Sequence, residues 1–225
     1  MPITTKSISP KHIVLTNGTT YPHSFNLSSL NTLLRFVRSH ERSVLLKDYA
    51  AGDRDSDAIC VRHDVDHSGA HAVRFAEWEK DHGIRASYYL LPTAPYYPLE
   101  GKTTAVKLQN LGHEVGVHND AYTVQGGNAD AALDLLRAWA EEMRSWGIDV
   151  HGCADHGGGE PSNTDLWRVE NRLPAEAGLE YEAYLLHRTG TNYISDNHGK
   201  WNSSLKKQPD KPTHILLHPC HWELP

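Results

Sequence analysis

Cysteine is scarce in this chain. Cys60, Cys153 and Cys220 make an odd number without paired spacing. That argues against a disulfide framework and favours a reducing compartment. Long apolar runs are also missing: no stretch approaches the roughly 20 residues of a membrane span. Met1-Pro2-Ile3-Thr4-Thr5-Lys6 lacks the apolar core of a secretory signal, so a cytoplasmic protein is expected. In that setting the sequons at Asn17-Gly18-Thr19, Asn26-Leu27-Ser28 and Asn202-Ser203-Ser204 are chance matches. Basic residues are not in excess either. The net charge of −6 argues against a nucleic-acid partner, which would favour a basic face. Internal repeats and low-complexity segments are absent.

Histidine, by contrast, is abundant, with sixteen residues in 225. The chain is organised around Ile59-Cys60-Val61-Arg62-His63-Asp64-Val65-Asp66-His67, where a β-branched apolar run climbs into two carboxylates and two imidazoles. On an extended backbone Asp64 and Asp66 leave the same face, roughly 7 Å apart. Like charges that close need a cation, and Arg62 on the same face or a metal ion would serve. His63 points the other way. A solvated Asp-rich turn before the next helix is the plainer explanation of the same residues.

From residue 58 onward the pattern alternates. Strands are predicted over 58–63, 84–91, 113–118, 148–153, 179–186, 193–195 and 213–217. Helices are predicted over 68–82, 102–111, 129–146 and 162–172, the last as a capping box of Ser162 and Asp165. Residues 92–101, with Tyr96-Tyr97, and 122–128 read as loops. Before them, residues 26–40 read as a helix with Leu30, Leu33, Leu34 and Val37 as its stripe, and Asn17-Gly18 as a turn. Length and alternation predict one domain over 1–225, with 1–57 an extension packed on a parallel α/β architecture. No Gly-x-Gly-x-x-Gly follows the first strand, so a distorted (β/α) barrel of about seven parallel strands fits better than a doubly wound sheet.

On this outline Asp64, Asp66, His118, His156, Asp196 and His218 all fall at C-terminal ends of strands, which meet at one mouth in a βα barrel. Converging carboxylates and imidazoles suit a divalent metal, and two histidines with a carboxylate form a common catalytic zinc set.

Three segments carry a resemblance. Arg62-His63-Asp64-Val65-Asp66, Gly112-His113-Glu114-Val115-Gly116-Val117-His118 and Leu216-Leu217-His218 together resemble the polysaccharide deacetylase family, carbohydrate esterase family 4. The likeness runs from about residue 58 to the C-terminus and is weak between 158 and 212. It implies a distorted seven-stranded barrel that hydrolyses N- or O-acetyl groups on sugars with a divalent metal, often zinc. It also implies Asp64 as general base, Asp66 and His118 as metal ligands, and His218 as the group protonating the leaving atom. One departure stands out. The family's second metal histidine comes four residues after the first, where this chain has Tyr122. His156 is the preferred third ligand, because Gly157-Gly158-Gly159 frees its loop to approach; His63 and His67 are the alternatives. The family's later Arg-Pro and Asp-Trp motifs are not recognisable, although Asp196 sits near the place expected for the second.

The expected protein is therefore a metal-dependent hydrolase, with zinc as its metal, acting on an acetylated carbohydrate or sugar-linked precursor. A catalytically weak carbohydrate-binding barrel, or a metallohydrolase acting on a phosphoester or non-sugar amide, are the alternatives. Arg62, Asp196, Trp201 and Trp222 are the candidate substrate contacts, the tryptophans as stacking platforms, although Arg62 also suits orienting Asp64 and Asp196 a catalytic group. Tyr96-Tyr97 suit a lid or plain packing. The sugar and the oligomeric state are not specified by the sequence.

Overall fold

The computed structural model describes residues 12–14, 20–22, 24–188 and 190–225. Strands β1 (His12–Val14) and β2 (Thr20–Pro22) pair antiparallel; the Asn17-Gly18 turn predicted between them lies outside the described residues. Helix α1 (Leu27–Val37) starts where the Asn26 side chain accepts from Ser29 N. It buries Leu30, Leu33, Phe36 and Val37 in the same core as the central strands. Short β3 (Arg42–Ser43) and α2 (Leu46–Ala50) follow.

The alternating part is β4 (Ala58–Val65), α3 (Gly69–Asp81), β5 (Ala86–Leu90), α4 (Tyr97–Asn110) and β6 (Glu114–Asn119). It continues with α5 (Ala121–Val124), α6 (Ala129–Ser145), β7 (Gly152–Asp155) and α7 (Asp165–Arg168). It ends with β8 (Tyr181–Glu182), α8 (Ala183–His187), β9 (Asn192–Ser195) and β10 (Thr213–Leu217).

The sheet runs β8-β7-β6-β5-β4-β10-β9, every pair parallel. Because β10 returns beside β4, the ring is continuous through the last and first barrel strands. Its seam lies between β8 and β9. The result is a curled, distorted (β/α) barrel of seven parallel strands, as the alternation predicts. β3 adds an eighth, pairing with Ala58 and Ile59 before β5 takes over that edge at Val61.

All eight residues of β4 are buried, as expected for a strand covered on both faces. Ile59, Val61 and Val65 join the main core with Phe75 and Ala76 of α3, whereas Cys60 belongs to a smaller inner cluster with Tyr89, Ala154 and Tyr181. His63 also lies on the helix side. Its Nε2 is 2.7 Å from Glu79 Oε1, and its ring stacks on Tyr88. The remaining odd-even partners, Arg62 and Asp64, consequently face the barrel interior.

Several predicted boundaries move. Helix α4 begins at Tyr97, inside the predicted loop, because a proline is tolerated in a first turn. Tyr96 and Tyr97 are buried, so they pack and form no lid. The predicted strand over 179–186 shortens to two residues, since Glu182 accepts from Tyr184 N and Leu185 N and starts α8. The predicted helix over 162–172 contracts to α7, and its Thr164 cap makes no side-chain bond. Among the described residues, no helix is long and apolar enough to cross a membrane.

Candidate active site

The strand ends build one cavity of about 740 Å³, lined by Arg62, Asp64, Asp66, His118, His156 and His218 among others. Asp64 is the next-to-last residue of β4, and Asp66 comes directly after the strand's end at Val65. Ser68 already caps α3 by accepting from His71 N, so the connecting loop has no slack. His118 lies within β6, and its Nδ1 donates to Ala154 O at 2.8 Å across the β6–β7 ladder. That bond fixes the ring and leaves Nε2 with its lone pair, 3.2 Å from Asp66 Oδ1 and 3.7 Å from Asp64 Oδ2.

His156 follows β7 and meets the His118 ring edge to face at 5.1 Å. One ligand atom each of Asp66, His118 and His156 lie within 4.8 Å of one another. Asp66 Oδ1 is buried and has no hydrogen bond of acceptable geometry. Burial alone would raise the Asp66 carboxyl, whereas a proton on the facing His118 Nε2, or a cation in its place, draws the group well below the usual carboxylate range. A buried, orphaned carboxylate oxygen against an imidazole lone pair calls for a cation, and the donor set fits a divalent metal.

Asp64 is held differently. Arg62 Nε and Nη2 donate to its two oxygens at 2.8 and 2.7 Å, a forked pair buried on both sides. Burial pushes the Asp64 carboxyl up; the Arg62 guanidinium, backed by His118 and His218, brings it below its ordinary value. Across the cavity His218 Nδ1 is 2.6 Å from Asp196 Oδ1, and His218 N also bonds that carboxylate. Trp222 Nε1 donates to Asp196 Oδ2 at 2.8 Å. Burial would lower the His218 imidazole, yet the Asp196 carboxylate, with Asp66 and Asp64 farther off, pushes it up to about 9.

The structure thus brings Asp64, Asp66, His118, His156 and His218 to one cavity, with Arg62 behind Asp64. Three expected substrate contacts, Asp196, Trp222 and Trp201, lie away from the cavity lining. Asp196 is 0% exposed and faces His218, not the cavity. Trp222 is also 0% exposed, stacked on Phe25 at 4.5 Å, so its ring offers a sugar no face. Trp201 is half-buried against Phe25 and Trp222, outside the cavity wall. Tyr122 donates to Glu170 Oε1 and takes no part in the cluster. Tyr184 and Tyr193, read from sequence as strand residues, line the cavity. So does Asp155, which accepts from Trp167 Nε1 and Asn119 Nδ2. The signal that could have found Asp155 is its place beside His156 at a strand end.

Fold and site together define a seven-stranded distorted barrel with an acid–imidazole cluster at the C-terminal mouth of its strands. No protein-family model matches the chain, and no curated protein matches it. Among solved structures it is similar to a mutant CE4 family pseudoenzyme with restored enzymatic activity (14% identity, 72% of this chain and 56% of that one, TM-score 0.49). It is similar as well to a family 4 carbohydrate esterase from Bacillus anthracis (15% identity, 85% and 77%, TM-score 0.49). A third is the catalytic domain of a peptidoglycan N-acetylglucosamine deacetylase from Eubacterium rectale ATCC 33656 (13% identity, 72% and 76%, TM-score 0.46). This chain thus spans little more than half of the pseudoenzyme's length.

Proposed function

We propose that this chain is a metal-dependent hydrolase that removes an acetyl group, N- or O-linked, from a carbohydrate or sugar-linked precursor. The observation that carries the reading is the convergence on one cavity of the Asp66–His118–His156 cluster, the Arg62-held Asp64 and the Asp196-held His218. Asp66, His118 and His156 would hold the metal, with zinc the natural occupant of a two-histidine, one-carboxylate set. A bound ion of that kind supplies Lewis acidity toward an acyl carbonyl and lowers the pKa of water.

The chain's own residues do the rest. Asp64, kept ionised by Arg62, accepts the proton of the attacking water. The two bonds from Arg62 also stop the carboxylate from rotating away. His218, protonated near neutral pH, donates to the departing nitrogen or oxygen. Asp196 holds its Nδ1, which leaves Nε2 as the donating atom. Base and acid thus hold opposite protonation states at one pH, as this hydrolysis requires.

The test is metal content measured beside acetate release from N- and O-acetylated saccharides. Stoichiometric zinc and acetate release that stops on chelation are expected. A protein that holds metal but frees acetate from none of them overturns the deacetylase reading in favour of binding or phosphoester chemistry.

A further inference from the structure

The register of β6 and β7 does more than place His118 beside Ala154. The ladder pairs His118 with Ala154 and Asn119 with Asp155. Side chains continue the same register past the strand ends. Asn119 Nδ2 donates to Asp155 Oδ1 at 2.7 Å, His156 N bonds Asn119 O at 2.8 Å, and the next pair in step is Asp120 with His156. There His156 Nδ1 lies 3.4 Å from Asp120 Oδ1.

Asp120 is itself fixed from two directions: Thr93 Oγ1 donates to Oδ2 and Asn163 Nδ2 to Oδ1. Asn163 is 0% exposed. Its amide also donates to His156 O, and its Oδ1 accepts from Thr123 N. One buried side chain therefore ties the β6–α5 segment to the loop that carries His156. A carboxylate on Nδ1 sets the tautomer that frees Nε2 for a cation and makes it a stronger donor.

We infer that Asp120 and Asn163 are positioning residues that convert His156, a histidine on a glycine-rich loop, into an oriented metal ligand. The inference rests on the metal reading of Asp66, His118 and His156. It explains how a loop histidine followed by Gly157-Gly158-Gly159 serves as a ligand without a helix or strand beneath it. The support comes sideways, from Asp120 just past β6 and from Asn163 farther along the segment that carries His156.

The experiment uses the full chain, stripped of metal with a chelator. Zinc is titrated in competition with a chromogenic chelator. Cobalt(II) is added separately, because its visible absorption reports the ligand geometry. Asp120→Ala should weaken zinc binding about 10–100-fold. Asp120→Asn, which keeps an acceptor but loses the charge, should fall between it and the wild type. Asn163→Ala should weaken binding and alter the cobalt spectrum. Melting of the metal-free proteins supplies the control: metal-free Asp120→Asn should melt with the wild type. Unchanged zinc affinity and cobalt spectrum in the Asp120 variants would overturn the positioning role alone. So would a drop in metal-free melting with metal binding intact. If Asp120→Ala does not fold, Asp120→Asn decides by the same two readouts. A wild-type protein that takes up no metal overturns the underlying metal reading and the positioning role together.

Discussion

Asp64→Asn exchanges a proton acceptor for an amide of nearly the same shape. Because Asp64 is not one of the three clustered ligand residues, the variant should keep its metal. The rate should fall by about 10²–10⁴-fold, the usual cost of losing a general base. Metal content and acetate release on one preparation check this; full metal with near-normal turnover would remove Asp64 as the base. At His218 the prediction concerns pH. Asp196 is the main influence raising the imidazole, which sits at about 9. The protonated form is the one that donates, so activity should persist at mildly alkaline pH and fall as pH climbs through that value. Asp196→Asn removes the raising charge, the imidazole pKa drops, and the alkaline limb should move to lower pH. A pH–rate profile whose alkaline limb stays in place would separate Asp196 from proton donation. These residues differ in how visible they were in the sequence. Asp64 and Arg62 share a strand face by simple alternation, and that alone brings the guanidinium to the carboxylate. For Asp196 the geometry fits the second of its two expected roles, orienting a catalytic group, whereas the stacking platform expected of Trp222 fails because nearness along the chain to a site residue carries no information about depth. Both proved to be buried supports of His218.

Strand β4 shows at element scale what the other face of the same alternation does. His63 points to α3, where Glu79 receives His63 Nε2 at Oε1 and the Tyr88 hydroxyl at Oε2, both at 2.7 Å. Glu79→Ala leaves two buried polar groups without this partner, at about 1–3 kcal/mol each. Urea denaturation should show that loss while zinc affinity stays at the wild-type value, since the network lies on the helix side of β4. Weakened zinc binding with unchanged stability would instead tie this network to the cavity. Strands β4, β6 and β10 were legible because β-branched residues alternate in them and chemistry-bearing residues close them; β10 coincides with its predicted range. The edge near β8 was not. Leu179-Glu180-Tyr181-Glu182 alternates as a strand does, but the apolar Ala183-Tyr184-Leu185-Leu186 after it is a short run that periodicity alone cannot assign to strand or helix. A single carboxylate, Glu182, decides by capping α8.

At the scale of the whole molecule, the candidate ligands come from three separate strands. Asp66 follows β4, His118 lies in β6 and His156 follows β7, with β5 between the first two. The convergence was legible once the chain was read as a barrel, because every strand then delivers its C-terminal end to one mouth. The seam between β8 and β9 was not, since nothing in two such short strands marks which edge stays unpaired. A cation shared by three strands acts as a cross-link that exists only in the folded state. Any species bound by the native protein alone stabilises it by RT ln(1 + [L]/Kd), about 2.7 kcal/mol at one hundred times Kd. Each further tenfold of free metal adds about 1.4 kcal/mol. The melting temperature of the chelator-stripped protein should therefore rise on adding zinc and continue to rise with free zinc. In His118→Ala, where the middle ligand is gone but the Asp66 and His156 loops remain, most of this dependence should vanish. Asp64→Asn should retain it in full, because its loss is one of proton transfer. Thermal scans of the three proteins across a buffered zinc series make the comparison. Equal zinc dependence in wild type and His118→Ala would mean that the stabilising ion sits elsewhere, and the cluster at the barrel mouth would lose its claim to the metal.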